Sequence, residues 1–421
     1  MPTRRAFNRM ALAGLTGLAA SPTRLLASPT VGERKFLFIL AYGGWDPCYA
    51  FTPLFDNEYA AMPDDSVAAE AHGMTFIDAE SRPSVRSFFE DYGDRTCLIN
   101  GMEVRSITHE RCTRILLTGS ASPDGDDFAS ILAAHSANDL ILPHVVLSGP
   151  AFTNKYSSQV VRVGRADQFP TLIQDQAFQE SHGSQAKINE TSEPLIDAFV
   201  RERADRYAAA AAAGRETLVG AEFVAALDKM NRATDLSDTI EFGSGEIETQ
   251  VSNALGLLEL GVSRCVTVQH NGIWDLTWDT HSANNLQDYH FELLFELLNT
   301  TMAELDSRTT ATGNPLSEEV TVVVMSEMGR DPRLNALEGK HHWTYTSLMM
   351  VGAGVQGGQV LGEFDEYVTG KPLNLSTGEA SEDGVAILPG HIGATLLAMG
   401  DVDPGDYLPD YDTFDAVVDE T

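Results

Sequence analysis

Lys35-Phe36-Leu37-Phe38-Ile39-Leu40-Ala41 runs straight into Tyr42-Gly43-Gly44-Trp45-Asp46. A continuous apolar run of this length, closed by a glycine turn, is the pattern of a strand buried on both faces of a parallel sheet. The same pattern recurs. Thr96-Cys97-Leu98-Ile99-Asn100 stops at Gly101, Cys265-Val266-Thr267-Val268-Gln269 stops at His270, and Val320-Thr321-Val322-Val323-Val324-Met325 stops at Ser326-Glu327. Between the last two, Phe291, Leu294, Phe295, Leu298, Met302 and Leu305 recur at helical spacing and predict a helix over Leu286–Asp306. Strands alternating with helices predict an α/β fold, doubly wound around a mainly parallel sheet.

Outward from this frame the chain changes character. Residues 151–245 hold polar loops and an Ala-rich helix around Arg206 to Met230, and read as a helical insertion or cap. Residues 362–385, rich in Gly, Glu, Asp and Ser, read as a surface loop or hairpin. A last helix is predicted over Gly393–Met399, and the aromatics of the acidic tail 406–420 suit packing on the body. No stretch is long and apolar enough for a bilayer span, and no internal repeat is visible.

Composition narrows the partners. The 421 residues carry 28 Lys and Arg against 61 Asp and Glu, a balance of −33. Such a surface repels nucleic acid and anionic lipid. The 43% hydrophobic content supports a large core. Four cysteines (Cys48, Cys97, Cys112, Cys265), none in a CxxC pair, suit neither a disulfide scaffold nor a thiolate zinc site. Cys97 and Cys112 are the one pair considered for a disulfide after export.

The chain opens Thr3-Arg4-Arg5-Ala6-Phe7-Asn8-Arg9, then runs without charge from Met10 to Ala20. Paired arginines before a short, weakly apolar stretch read as a twin-arginine export signal, residues 1–27, cleaved near Leu26-Ala27-Ser28. The expected location is periplasmic or secreted, with residues 31–421 forming the folded domain. Removing residues 1–27, which carry four arginines and no acid, takes the balance from −33 to −37. Export in the folded state favours a prosthetic group loaded beforehand.

In an open α/β sheet, ligands gather beyond the carboxyl ends of the strands. Here those ends deliver Asp46, His270 with Asp275, Asp279 and His281 after it, and Glu327 with His341 and His342 after it. Carboxylates and imidazoles at one sheet edge suit a hydrolytic metal site, and the mixed oxygen and nitrogen set favours Zn²⁺ or Mn²⁺ over Ca²⁺. Each residue also has a plain structural reading. Asp46 suits a turn or helix cap, His270 suits a hydrogen-bonded core histidine, and Glu327 needs a cation that Arg330 or Arg333 could supply. If His341-His342 form a strand, their rings face opposite ways and only one can ligate.

Three segments together resemble a known family: Gly43-Gly44-Trp45-Asp46, Trp278-Asp279-Thr280-His281-Ser282, and Ser326-Glu327-Met328-Gly329-Arg330-Asp331-Pro332 with Gly339-Lys340-His341-His342-Trp343. Their order and spacing are similar to the exported, sulfatase-like proteins of the alkaline phosphatase superfamily that share domain of unknown function 1501. The likeness extends over about residues 35–405, including Ala394–Pro404. It implies an alkaline phosphatase-like α/β/α sandwich holding one or two metal ions. By resemblance, Asp46 is the first-strand ligand, Asp279 and His281 the later Asp/His pair, and Glu327 and His342 the last acid and histidine. The implied activity is metal-dependent hydrolysis of a small anionic phosphate or sulfate ester, with Arg330 orienting the anion. The alternative is a non-catalytic relative that binds an exported protein partner.

Two departures from the family pattern stand out. His341 stands where the family has Asp before His-Trp. Counting ten residues back from Gly119, where a nucleophile is expected before the Thr118-Gly119 pair, lands on His109. No Cys-x-Pro-x-Arg motif is present, which argues against a formylglycine sulfatase. Thr108 is the nearest candidate nucleophile, His109 is alternatively a further ligand, and Cys112 has no evident base.

Overall fold

The computed structural model describes residues 32–163, 193–212, 246–310 and 312–419, together with 224 and 227. The predicted export signal, and residues 164–192 and 213–245 of the expected insertion apart from 224 and 227, lie outside these.

Twelve strands occur among the described residues: β1 (Lys35–Ala41), β2 (Ser66–Ala71), β3 (Met74–Ala79), β4 (Thr96–Glu103), β5 (His144–Val146), β6 (Val160–Arg162), β7 (Cys265–His270), β8 (Val320–Met325), β9 (Gly329–Arg330), β10 (His342–Trp343), β11 (Tyr345–Gly352) and β12 (Gln359–Leu361). The helices are α1 (Pro83–Tyr92), α2 (His109–Thr118), α3 (Phe128–Ala134), α4 (Glu193–Ala212), α5 (Ile247–Glu259), α6 (Leu286–Ser307) and α7 (Pro389–Met399).

Eight strands form the central sheet in the order β12-β4-β11-β8-β1-β7-β5-β6. β1 pairs in parallel with both β7 and β8, and β11 alone runs antiparallel, between β4 and β8. The fold is α/β with a mainly parallel sheet, as the apolar runs predict. The sequence reading lacks four strands of this sheet: β5, β6 and β12 are only three residues long, and the polar start of β11 (Tyr345-Thr346-Ser347) hides its apolar second half.

The side chains of β1 show why both faces are covered. Leu37, Ile39 and Ala41 point into one core with Phe88 and Phe89 of α1, Leu255 of α5 and Phe291 of α6. Phe36, Phe38 and Leu40 point into a second core with Leu116 of α2, Ile131 of α3 and Leu396 of α7. Each fully buried side chain of this kind stabilises the fold by about 1.5–3 kcal/mol relative to exposure. Arg264 joins the second layer at its ends, donating to the carbonyls of Leu132 (2.7 Å) and Gly400 (2.6 Å) where α3 and α7 stop. The Ala-rich segment starts earlier than expected, as α4, and the last helix gains a turn through Pro389 at its first position. Phe414 and Val417 are fully buried, so the acidic tail packs on the body. All four cysteines are buried free thiols, so Cys97 and Cys112 form no disulfide.

Candidate metal centre

Parallel pairing brings the carboxyl ends of β1, β7 and β8 to one edge. The antiparallel β11 begins at that same edge, so His342, just before it, is delivered there too. The turn from β4 into α2 adds His109 at the first position of the helix. α2 stops at Gly119, whose φ of 71° closes the helix with an N–H to the Ile115 carbonyl.

His109, Asp279 and His342 converge, with one ligand atom from each lying within 4.8 Å of the others. The imidazoles are held alike. His109 Nδ1 sits 2.7 Å from Glu327 Oε1, and His342 Nδ1 sits 2.7 Å from the Ile107 carbonyl. A carbonyl only accepts, so His342 carries its proton on Nδ1 and presents a lone pair at Nε2. That Nε2 lies 3.2 Å from Asp279 Oδ1. Two acceptors face each other there, an unfavourable contact unless a cation or a proton lies between. His109 Nε2 is buried, 3.4 Å from Asp279 Oδ2, and forms no hydrogen bond. Anchoring the far nitrogen of each imidazole on a carboxylate or carbonyl is how proteins orient metal-ligating histidines. The residues therefore fit a divalent cation.

Electrostatics agree. Asp279 and Glu327, on either side of the His109 ring, raise its pKa to about 9 against burial. Burial opposes ionisation of Asp279, yet contacts from His109, His342 and Arg330 hold its carboxyl well below the usual range.

The other predicted residues fall in several places. His281 Nε2, half-exposed, lies 2.9 Å from His342 Nε2 and 3.2 Å from Asp279 Oδ1. His341 is exposed and lies beside the His281 ring, while His342, its neighbour on β10, turns inward. Glu327 is fully buried and accepts from the Gly43 N–H at 2.9 Å, so it holds the β1 turn and His109 together. Its cation is His109, not Arg330 or Arg333. His270 is a core histidine that accepts from the Gly272 N–H and, at 3.3 Å, from the Trp278 indole.

Three expectations are corrected. Arg330 is turned into the fold, away from the solvent side from which a substrate would come. Its guanidinium has no solvent exposure and donates to the carbonyls of Gly43, Gly44, Trp278 and Lys340 and to Asp279 Oδ1. Asp46 does not join the cluster, because Lys340 Nζ lies 2.7 Å from its Oδ2. Thr108 is the N-cap of α2, and its hydroxyl is hydrogen-bonded to that of Ser106 at 3.4 Å rather than to a base among the described residues. The sequence reading also missed Lys340, Asn284 and Gln287. Their signal is polar residues at buried positions, visible only once the fold is known. Beneath the site, Trp45, Phe51, Trp278 and Phe291 form an aromatic floor with centroids 4.8–6.3 Å apart in the contacting pairs. Such packing leaves the polar layer little freedom.

An α/β sandwich with imidazoles and carboxylates at its strand ends defines the class. Residues 89–374, well over half of the chain, match the family described as "Protein of unknown function (DUF1501)", and the chain belongs to that family. No curated protein matches it. Among solved structures it is similar to a protein in the alkaline phosphatase superfamily from Vibrio parahaemolyticus, at 10% identity over 93% of this chain and 73% of that one, with a TM-score of 0.39. It is also similar to the lipoteichoic acid synthase LtaP from Listeria monocytogenes, at 9% identity over 98% and 82% of the two chains, with a TM-score of 0.40.

Proposed function

We propose that the protein is an exported hydrolase of phosphate or sulfate esters that works with a divalent metal, zinc or manganese, held by His109, Asp279 and His342. The observation that carries this reading is the pair of imidazoles whose Nδ1 atoms are tied to Glu327 and to the Ile107 carbonyl. That leaves both Nε2 atoms facing Asp279. Two imidazoles and one carboxylate form the open, three-ligand pattern of a catalytic zinc site.

The cation would supply Lewis-acid polarisation of a phosphoryl or sulfuryl oxygen. The chain does the rest. Glu327 fixes the His109 ring and Ile107 fixes the His342 ring. Arg330 clamps the Gly43-Gly44 turn to Asp279, and so positions that carboxylate. His281, at the solvent edge, is placed to exchange a proton with a leaving group. The surface charge of −33 repels an anionic ester at long range. Salt screens this beyond about 8 Å at physiological strength.

The test is metal content and turnover together. Protein purified without chelators should hold zinc or manganese and cleave 4-nitrophenyl phosphate or sulfate, and His342→Ala should lose both. Full turnover with no metal bound would sink the reading. The Thr108 hydroxyl, bonded to Ser106 and to no base among the described residues, favours a second reading: a non-catalytic member that binds an exported protein partner. Bound metal without turnover on any ester would select it. Export rests on the paired arginines, and Arg4→Lys with Arg5→Lys should hold the protein in the cytoplasm.

A further inference from the structure

The first-strand carboxylate already has a cation. Lys340 Nζ lies 2.7 Å from Asp46 Oδ2, with side-chain exposures of 0% and 1%. The ammonium also donates to the Ala61 carbonyl at 3.1 Å. The remaining capacity of the carboxylate is taken by N–H donors. Asn284 Nδ2 reaches Oδ2 at 2.8 Å, and the Cys48 N–H reaches Oδ1 at 3.1 Å.

Neighbouring groups that might help hold a metal are committed elsewhere. The amide oxygen of Asn284 accepts from Thr280 Oγ1 at 2.7 Å, and that of Gln287 accepts from the Asp46 N–H at 3.1 Å. The Cys48 thiol is pushed up to about 12, by burial and then by Asp46, so it supplies no thiolate. A metal ion at Asp46 would meet an ammonium and amide hydrogens, all of which repel it.

We infer that Lys340 is the permanent cation of Asp46, that Asp46 ligates no metal, and that the strand-end site holds a single ion. The count of one rests on the metal reading proposed above, whereas the pairing of Lys340 with Asp46 stands apart from it. A covalently tethered ammonium cannot be chelated or exchanged. Asp46 therefore stays neutralised, and the turn after β1 keeps its shape, whether or not the metal centre is filled.

The experiment has two arms. In the first, wild type, Asp46→Asn and His342→Ala are loaded with zinc, desalted and assayed by plasma mass spectrometry. The expected counts are one equivalent for wild type and for Asp46→Asn, and none for His342→Ala. Two equivalents in wild type, with one lost in Asp46→Asn, would overturn the inference. In the second, melting temperatures of metal-free Lys340→Met, Asp46→Asn and the double variant are compared. Each single change leaves a buried group without its partner and should melt at least about 3 °C below wild type, with the double variant recovering most of the loss. Additive losses would overturn the pairing. If wild type binds no zinc, and no manganese when loaded in the same way, the proposed function fails, and the second arm still decides the role of Lys340.

Discussion

His342 Nδ1 and the Ile107 carbonyl oxygen are 2.7 Å apart, so one main-chain acceptor on the approach to α2 sets which nitrogen of His342 is free. Replacing His342 by Gln keeps a polar side chain but loses the ring that bridges Ile107 and Asp279. Zinc affinity should fall at least tenfold, within the range seen when metal-site support is removed. Thr108→Ala, which keeps the main chain and removes only a hydroxyl bonded to Ser106, should stay within threefold of wild type in affinity and turnover. A large effect of Thr108→Ala would restore it as a nucleophile.

Glu327 and Asp279 bracket His109 and raise its pKa to about 9 in the metal-free protein. The sign follows from proton binding. Between about 6.5 and 9 the native state holds a proton that the unfolded chain has lost. This stabilisation is complete below pH 6.5 and disappears as pH rises through 9. Glu327→Gln should move the NMR titration of the His109 ring down by more than one pH unit. An unchanged midpoint would remove Glu327 from that role.

His270 and His290 behave in the opposite way. Burial lowers them to about 3 and about 4, and each accepts an N–H at Nδ1. Below pH 6.5 the unfolded chain takes up protons that the native state refuses, so stability falls toward pH 4 by up to about 1.4 kcal/mol per pH unit for each ring. Urea midpoints at pH 7 and pH 5 should differ, and His270→Gln should shrink the difference. Equal slopes in the two proteins would count against the assignment.

Gly43 has a φ of 126°, and a Cβ there would lie 2.6 Å from the backbone nitrogens of Trp278 and Asp279. Gly43→Ala should therefore cost roughly 2–4 kcal/mol and displace Asp279. Lower melting temperature and lower metal content should appear together. Normal metal content in a destabilised Gly43→Ala would separate the turn from the site.

Arg264 closes α3 and α7 from inside the fold, with Glu33 at 3.5 Å. Arg264→Met removes a donor from the Leu132 and Gly400 carbonyls and the ion pair of Glu33, whose carboxylate still accepts from Ser136, Ala137 and Asn138. It should cost roughly 1–3 kcal/mol in urea unfolding. Metal content should be unchanged in the folded fraction, because the residue lies away from the strand ends that carry the site.

The strands around β1 and the helix after β7 were legible because their signal is local. Apolar runs and helical spacing need no partner to be read. The site was legible only as a set of residue types at strand ends. Asp279, His281, Glu327 and His342 do meet there, and His109 joins them from α2. What could not be read was who pairs with whom. Asp46, Asp279 and Glu327 are all acids near glycines or apolar runs. One is neutralised by Lys340, one by Arg330 and one by His109, and each pairing is set by the packing of distant segments. Arg330 looked free to greet a substrate because sequence does not show the carbonyls of Gly43, Gly44 and Trp278 closing around it.

The place of β1 in the sheet has a consequence for biosynthesis. Among the described strands β1 is translated first, yet its two sheet neighbours, β7 and β8, come only after β2 to β6. The edges of β1 therefore stay unpaired until β7 and then β8 are translated, although α1, α2 and α3, which help cover its two faces, are made earlier. The described sheet is therefore not paired strand by strand in the order of synthesis, and its central pairings join segments far apart in the chain. A nascent chain halted before Val320 lacks β8 from the centre of the sheet and, with it, β11 and the edge strand β12. Its exposed apolar strand makes it a natural client for chaperones.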